Sequence, residues 1–328
     1  MKPARPLVLF VALAAVTAML LFVGSAVGSE GWEPLFFASG SPDVSILWDI
    51  RVPRTVGAWL AGALLGLAGA VAQGLFRNPL ADPYLLGSAT GAALGVALCL
   101  VLVGVSPIAA PGWVAHWALT LAGFVGAVAA VLVTLVLAQG VQHTLRLLLS
   151  GVVVGMVFGA LSALVMFWDP EIMRAMQAFL LGTTGFLGWS SVALLAIVLA
   201  AAMMAALALS RALDALALGE ITAASLGISL TPVRVVLVTA LALATAAAVA
   251  QVGLIAFIGL VAPHLMRALA KPTHRWLVPL SALSGGVLLL TADVLARWLL
   301  APKEIPVGVL TAVLGGGYLI WLMHRRPM

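Results

Sequence analysis

The sequence predicts an all-α polytopic membrane protein of about ten transmembrane helices, and three observations predict it. Of 328 residues, 64% are apolar and only 8% are charged, against about 45–50% and about 25% in an average soluble domain. The mean hydropathy is +1.21. Apolar segments approaching or exceeding the roughly 20 residues that cross a hydrocarbon core recur along the whole chain. Residues 1–328 therefore read as a single transmembrane domain. A soluble enzyme, a secreted disulfide scaffold and a nucleic-acid binder are excluded. The net charge of +5 comes from sixteen Lys and Arg scattered singly, so it is no basic patch, and the lone Cys99 can form no intrachain disulfide.

The segments fall near residues 7–27, 55–76, 86–105, 114–138, 145–167, 190–210, 232–252, 258–270, 277–299 and 306–323. The first follows Lys2 and Arg5 like a signal peptide, but at about 21 residues it is long for an apolar signal region and is expected to be the first span. The second starts after Arg51-Val52-Pro53-Arg54 and ends at Arg77-Asn78-Pro79-Leu80-Ala81-Asp82-Pro83, where two prolines break the helix. Three segments later, Arg146 stands at the head of the fifth. The sixth and seventh are separated by 211–231, the longest connection on the inner side. The eighth is too short to cross at full thickness, so it is expected to lie inside protein, where its backbone groups can be satisfied. Asp293 and Arg297 lie one turn apart near the end of the ninth.

With the N-terminus inside and ten crossings, the inner side carries Lys2, Arg5, Arg77, Arg146, Arg211, Arg234, Arg267, Lys271, Arg275, Arg325 and Arg326. The outer side carries Arg51, Arg54, Arg174, Arg297 and Lys303. Eleven cations against five agree with the positive-inside rule and put both termini in the cytoplasm. Asp82, Asp214 and Glu220 fall inside, whereas Glu30, Glu33, Asp43, Asp49, Asp169, Glu171, Asp293 and Glu304 fall outside.

Small residues at four-residue spacing mark close helix contacts in lipid. Gly62 and Gly66 form one pair; Gly87, Gly91 and Gly95 form a longer stripe, as do Gly151, Gly155 and Gly159. Each stripe reads as packing within the chain, or, for the third, as a face toward a partner or pathway. Ala70-Val71-Ala72-Gln73 is repeated as Ala248-Val249-Ala250-Gln251 on spans of opposite direction, a hint of inverted repeats.

No catalytic constellation is present. The histidines 116, 143, 264, 274 and 324 have no metal-ligand spacing. With lysines only at 2, 271 and 303, the chain has no P-loop. Any ATP, with its Mg, is expected on another subunit, and this chain is expected to bind no cofactor. Asp293 is the one candidate for a proton pathway, with a structural ion pair to Arg297 as the other reading. The 211–231 connection contains Leu218-Gly219-Glu220 and Ala223 to Ile228, which reads as a short amphipathic helix ended by glycine. Such a helix suits insertion into a groove of a motor subunit, or rests on lipid. Arg51 and Arg54, held by Pro53, suit docking of a carboxylate-bearing partner or serve as anchors at the head of a span.

These elements, in this order, resemble the permease family of bacterial importers for cobalamin, haem and ferric siderophores, the FecCD/BtuC type. The resemblance rests on Arg51 to Arg54, Gln73 to Pro83 with Leu86-Gly87, Arg146 to Gly151, Leu218 to Glu220 with Leu226-Gly227, Gly253 to His264, Ala292-Asp293 to Arg297, and Glu304 to Gly308. It implies a type II ABC importer transmembrane fold in the bacterial inner membrane. A homodimer would carry two cytoplasmic ATPases below and a periplasmic substrate-binding protein above. By resemblance, Arg51, Arg54 and Arg297 receive acidic knobs of that protein. Leu218, Gly219, Glu220, Leu226 and Gly227, within helices around 214–228, couple to the ATPase. Asn78, Leu80 and Thr144 close an inner gate; Gly151, Gly155 and Gly159 line the path; a short helix near 181–189 is the outer gate. Arg174 is a candidate substrate contact, or pairs with Asp169 or Glu171. Haem is the first expected cargo, then a ferric siderophore, then cobalamin. A proton-coupled secondary transporter acting without an ATPase is the reading from another class.

Overall fold

The computed structural model describes residues 5–28, 31–32, 44–103, 112–141 and 144–325. Its helices are α1 (Pro6–Ala26), α2 (Val52–Leu75), α3 (Ser88–Val103), α4 (Gly112–Leu137), α5 (Thr144–Trp168), α6 (Pro170–Leu181) and α7 (Trp189–Ala208). Then come α8 (Ser210–Ala217), α9 (Glu220–Ser225), α10 (Leu230–Val252), α11 (Ile258–Ala270), α12 (His274–Trp298) and α13 (Val307–Arg325). Among the described residues, seven helices are long and apolar enough to cross a membrane, counting Leu47–Leu75 as one. Three shorter apolar ones, Ser88–Leu102, Ile258–Ala270 and Val307–Leu322, account for the rest of the ten expected segments. Lys2, Glu30, Glu33, Asp43, His143 and Arg326, used in the sequence reading, lie outside the described residues.

The centre of the fold is α2. Its 24 residues extend about 36 Å, and nearly all of them from Pro53 to Leu75 are buried. The reason is their size. Lipid supplies no hydrophobic drive between helices, so association depends on how closely backbones approach, and glycine and alanine allow the closest approach. A Cβ on Gly62 would strike the backbone carbonyl of Gly285 on α12, and one on Gly66 would strike that of Ser281. Gly91 and Gly95 do the same for α3 against Gly126 and Ala122 of α4. The small-residue stripes are thus, in the first two cases, packing within the chain.

The eighth segment is the buried half-helix that its length requires. It forms α11, of 13 residues, with Ile258 to Pro263 and Met266 buried, seated against α2 and α12. The tightest approach in this seat is at Gly69, whose added Cβ would overlap the carbonyl and Cα of Gly259. That neighbour is backbone and cannot turn aside. Gly69→Val is expected to unseat α11 and abolish the monodisperse peak of the detergent-solubilised chain in size-exclusion chromatography. An unchanged elution profile and melting temperature would show that the seat tolerates overpacking, which ordinarily costs about 1–3 kcal/mol even where side chains yield.

α2 and α10 pack on each other, but the glutamines that end their repeated tetrapeptides differ. Gln73 donates to the carbonyl of Leu260 (3.1 Å) and accepts from Arg267. The amide of Gln251 is buried and has no hydrogen-bond partner among the described residues. At one end of the fold, α1 leads into a two-residue antiparallel pairing of Val27–Gly28 with Gly31–Trp32.

Candidate functional site

Charged side chains gather at the two ends of α2. At its first end, residues Leu47–Arg51 form a π-turn that runs directly into α2, and Pro53 occupies the first turn, where its missing N–H costs nothing. Arg54 emerges one residue later. Its Nη1 and Nη2 donate to the two carboxylate oxygens of Glu304, at 3.0 and 2.8 Å, a bidentate pair. Its Nε and Nη2 donate to Asp293 Oδ1 at 3.3 and 3.2 Å. Asp293 is fully buried. It also accepts from the Thr184 hydroxyl on Oδ1 (2.5 Å) and from Arg297 Nη2 on Oδ2 (2.6 Å). Two cations and two anions thus close on each other.

The three arginines grouped from the sequence are separated by this geometry. Arg51 is half-buried, its guanidinium over Gly28, where an added Cβ would come within 2.9 Å of Nη2. The side chain of Arg54 is 12% exposed. Arg297 is only 1% exposed, and beyond Asp293 its Nη1 donates to the carbonyls of Gly24 (2.9 Å) and Val27 (2.5 Å). It pins the end of α1 to α12 and presents no surface in this conformation. The pairing of Asp293 with Arg297 follows from their spacing; the participation of Glu304 and Thr184 was missed, because it depends on tertiary approach.

The gate stretch also differs from expectation. Residues 182–188 are a turn, and the short helix precedes it as α6. Asp169 caps α6 by accepting from the Glu171 N–H (2.8 Å), Pro170 starts it, and Gly182 at φ +71° ends it. Thr184 in this turn is the residue bound to Asp293. Because Asp169 serves as the cap, it does not pair with Arg174, which is exposed and makes no ion pair among the described residues.

At the other end of α2, the chain turns through Arg77 at φ +51°. Asn78 Oδ1 accepts from the Leu80 N–H (2.9 Å), and Asp82 Oδ1 accepts from the Tyr84 N–H (2.8 Å), so two side chains shape the loop. Burial pushes the Asp82 carboxyl above its ordinary range, against the lowering effect of that N–H. Asn78 and Leu80 are exposed, and Thr144 opens α5. The residue that joins these parts is Glu220. Its Oε1 forms an ion pair with Arg234 Nη2 (2.7 Å) and accepts from Arg77 Nη2 and Thr144 Oγ1 (both 3.4 Å). The sequence reading had Glu220 and Thr144 in separate roles and did not single out Arg234. A lone cation inside the apolar run of α10 was the available signal, since such a group needs a partner.

The 211–231 connection forms two short helices, α8 and α9, divided at Gly219, which stands at φ +112° and leads directly into α9. The one helix expected there is confined to Glu220–Ser225, followed by Gly227 at φ +79°. Leu218, Ile221 and Leu226 are 69%, 89% and 63% exposed, an apolar patch; Ile221 was not anticipated. Asp214 on α8 accepts from the His274 N–H (2.9 Å) and faces its Nδ1 (2.6 Å), fastening α8 to the start of α12.

The third glycine stripe divides. A Cβ on Gly151 would strike the carbonyl of Leu85, whereas one on Gly155 or Gly159 would meet only the Thr90 side chain, at 3.7 and 3.8 Å. Leu147, Val154 and Ser162 are buried with Gly151, whereas the opposite face of α5 is bare, with Met156 70% and Phe167 84% exposed. Among the described residues, no three His, Cys, Asp or Glu side chains come together as a metal site would need.

Comparison with known proteins covers nearly the whole chain. Residues 8–325 match the model of the FecCD transport family. The chain is 37% identical over 314 residues to the hemin transport system permease protein HmuU of Yersinia pestis, covering 94% of this chain and 93% of that one. It is 40% identical over 280 residues to the vitamin B12 import system permease protein BtuC of Escherichia coli (strain SE11), covering 85% and 83%. A solved inward-facing conformation of a metal-chelate type ABC transporter superposes with a TM-score of 0.84 at 26% identity, covering 98% of this chain and 100% of the other.

Proposed function

The chain belongs to the FecCD transport family, and on that premise we propose how its two charged ends divide the work. It is the permease of an ATP-binding-cassette importer of the haem, cobalamin and metal-chelate class, with the type II importer fold. The observation that carries this reading is the family match from residue 8 to residue 325. Haem is the cargo we propose, supported by similarity to HmuU over almost the full length of both chains. Cobalamin is the second reading, supported by 40% identity to BtuC over a shorter stretch.

In this proposal residues 1–328 act as one permease domain in the inner membrane, with both termini cytoplasmic, an orientation supported by the eleven-to-five split of cations. The Arg54 end then faces the periplasm. Arg51 and Arg54 receive carboxylates of a substrate-binding protein, while Arg297, buried beneath, holds the site in place. The 182–188 turn serves as outer gate. At the cytoplasmic end, Leu218, Ile221 and Leu226 present the apolar surface that a motor subunit would cover, and Glu220 ties that surface to Arg77 and Thr144 beside the inner-gate residues Asn78 and Leu80. ATP and Mg are held by two such ATPase subunits, not by this chain. A second copy of the chain packs beside the bare face of α5, leaving Gly155 and Gly159 toward the path and Arg174 near its mouth. A wide, mostly apolar conduit suits a bulky chelate, because tight binding midway would halt it. The proton-coupled alternative would need Asp293 as its carrier, and both oxygens of that carboxylate are engaged by arginine.

The test is uptake into proteoliposomes holding the chain with its ATPase and binding protein, offered haem, a ferric siderophore and cobalamin in parallel. Accumulation of haem that stops without ATP or without binding protein is the expected result. Uptake that persists without the ATPase and follows a proton gradient would overturn the importer reading.

A further inference from the structure

An arginine side chain offers two edges for paired hydrogen bonding, Nη1 with Nη2 and Nε with Nη2. On Arg54 the second edge rests on Asp293 Oδ1, which is fully buried. The first edge is taken by Glu304 with near-ideal geometry, 3.0 and 2.8 Å. Glu304 differs from Asp293 in position. Its side chain is 32% exposed, it comes from the connection between α12 and α13, and it approaches Arg54 from the solvent side. Any external carboxylate that is to bind Arg54 with two hydrogen bonds must take this edge, and it must first remove Glu304.

We propose that Glu304 is a resident competitor for the docking site: it occupies Arg54 when no partner is bound and is exchanged for a partner carboxylate on docking. The inference rests on the docking role proposed above for Arg54. Its physical consequence is that docking exchanges one ion pair for another. The outer edge of Arg54 is never left without an anionic acceptor while Asp293 holds the inner one, and the partner's apparent affinity is scaled by the fraction of time that Glu304 leaves the edge free. An importer gains from that, since its binding protein must leave after every delivery. Exposed and half-exposed ion pairs are worth little individually, so the competitor lowers affinity only modestly. Removing it is expected to tighten docking by roughly threefold to tenfold, the opposite of what loss of a polar interface contact ordinarily does.

The experiment measures the affinity of the importer's own binding protein for the full chain, assembled with its ATPase in nanodiscs. The variants are Glu304→Gln, Glu304→Asp, Arg54→Leu and the double variant Glu304→Gln with Arg54→Leu. Thermal melting of each preparation confirms that it is folded. Glu304→Gln is expected to dissociate more slowly than the unmodified chain, and Glu304→Asp, one methylene too short for the bidentate pair, to fall between them. In the Arg54→Leu background, Glu304→Gln should change nothing. If Glu304→Gln tightens docking equally with and without Arg54, the effect is general relief of negative charge, and the exchange is overturned. If it leaves docking unchanged while Arg54→Leu weakens it, the exchange is again overturned and the docking role stands. If Arg54→Leu has no effect on docking, the docking role itself fails and takes the exchange with it.

Discussion

Asp293→Ala is expected to destabilise the chain by about 3–5 kcal/mol, the range for breaking a buried ion pair from one side. The reason lies in what remains. Arg297 is 1% exposed, and without the Asp293 carboxylate its charge would face only backbone carbonyls, those of Gly24, Val27 and residue 293 itself. The Thr184 hydroxyl, itself fully buried, would lose its acceptor and with it the tie between the 182–188 turn and α12. Thermal melting in detergent is the measurement, and the loss should be visible as a fall in midpoint and in yield. Asp293→Asn retains an acceptor for Thr184 and should fall between the two. The sharper test is the pair Asp293→Leu with Arg297→Leu. It removes one anion and one cation together and leaves Arg54 with Glu304, whose bidentate bond does not involve Asp293. Replacing a buried pair by apolar side chains is often nearly neutral, so the double variant should melt above Asp293→Ala. Equal damage in both would mean that the hydrogen bonds to α1 and Thr184, rather than charge balance, dominate.

How much of this was legible in the sequence depends on the range of the interaction. The ten apolar segments could be read because a span requires only enough apolar residues in a row. The burial of α11 followed from its length alone, since thirteen residues cannot cross and cannot end in lipid. Asp293 and Arg297 sit four residues apart on one helix, so their pair is local and was anticipated. Glu304 and Arg54 are 250 residues apart, and nothing in either neighbourhood names the other. The same holds for Glu220 with Arg234 and Arg77. Burial differs from what the resemblance implies: Arg297, grouped with Arg51 and Arg54 as a docking residue, lies deeper than Arg54. The 182–188 stretch, with three glycines in seven residues, was read as a helix by resemblance; glycine at φ +71° ends a helix rather than continuing one. Arg174 reads in the sequence as a substrate contact or as a partner of Asp169 or Glu171, but a carboxylate placed before Pro170 is better used as a helix cap, and Arg174 pairs with neither among the described residues.

Glu220→Arg is expected to abolish transport while leaving the chain able to insert, and Glu220→Gln to uncouple it by degrees. Three partners converge on one oxygen of Glu220 from three different segments: Arg234 on α10, as an ion pair, and Arg77 after α2 and Thr144 at the start of α5, as hydrogen-bond donors. Reversal would gather three guanidinium groups in one place, with Arg234 only 4% exposed and unable to move into water. α9 would be driven from its seat, and Leu218, Ile221 and Leu226 with it. The neutral variant is milder. Glutamine keeps an acceptor for one donor and loses the charge that makes each bond strong; hydrogen bonds to charged groups are worth about 1.5–3 kcal/mol, and the one-third exposure of Glu220 places this loss toward the lower end. The readout is the ratio of cargo delivered to ATP hydrolysed by the reconstituted importer. If Glu220 transmits movement of α9 to the Arg77 loop and to α5, that ratio falls several-fold in Glu220→Gln while hydrolysis continues. If the residue only stabilises the fold, uptake and hydrolysis fall together in proportion to the surviving protein. The paired variant Glu220→Gln with Arg234→Leu separates these further. Removing the buried cation relieves the stability loss, so the melting temperature should recover whereas the transport ratio should not, because the connection from α9 to Arg77 and Thr144 still lacks the charge and one of its two bonds.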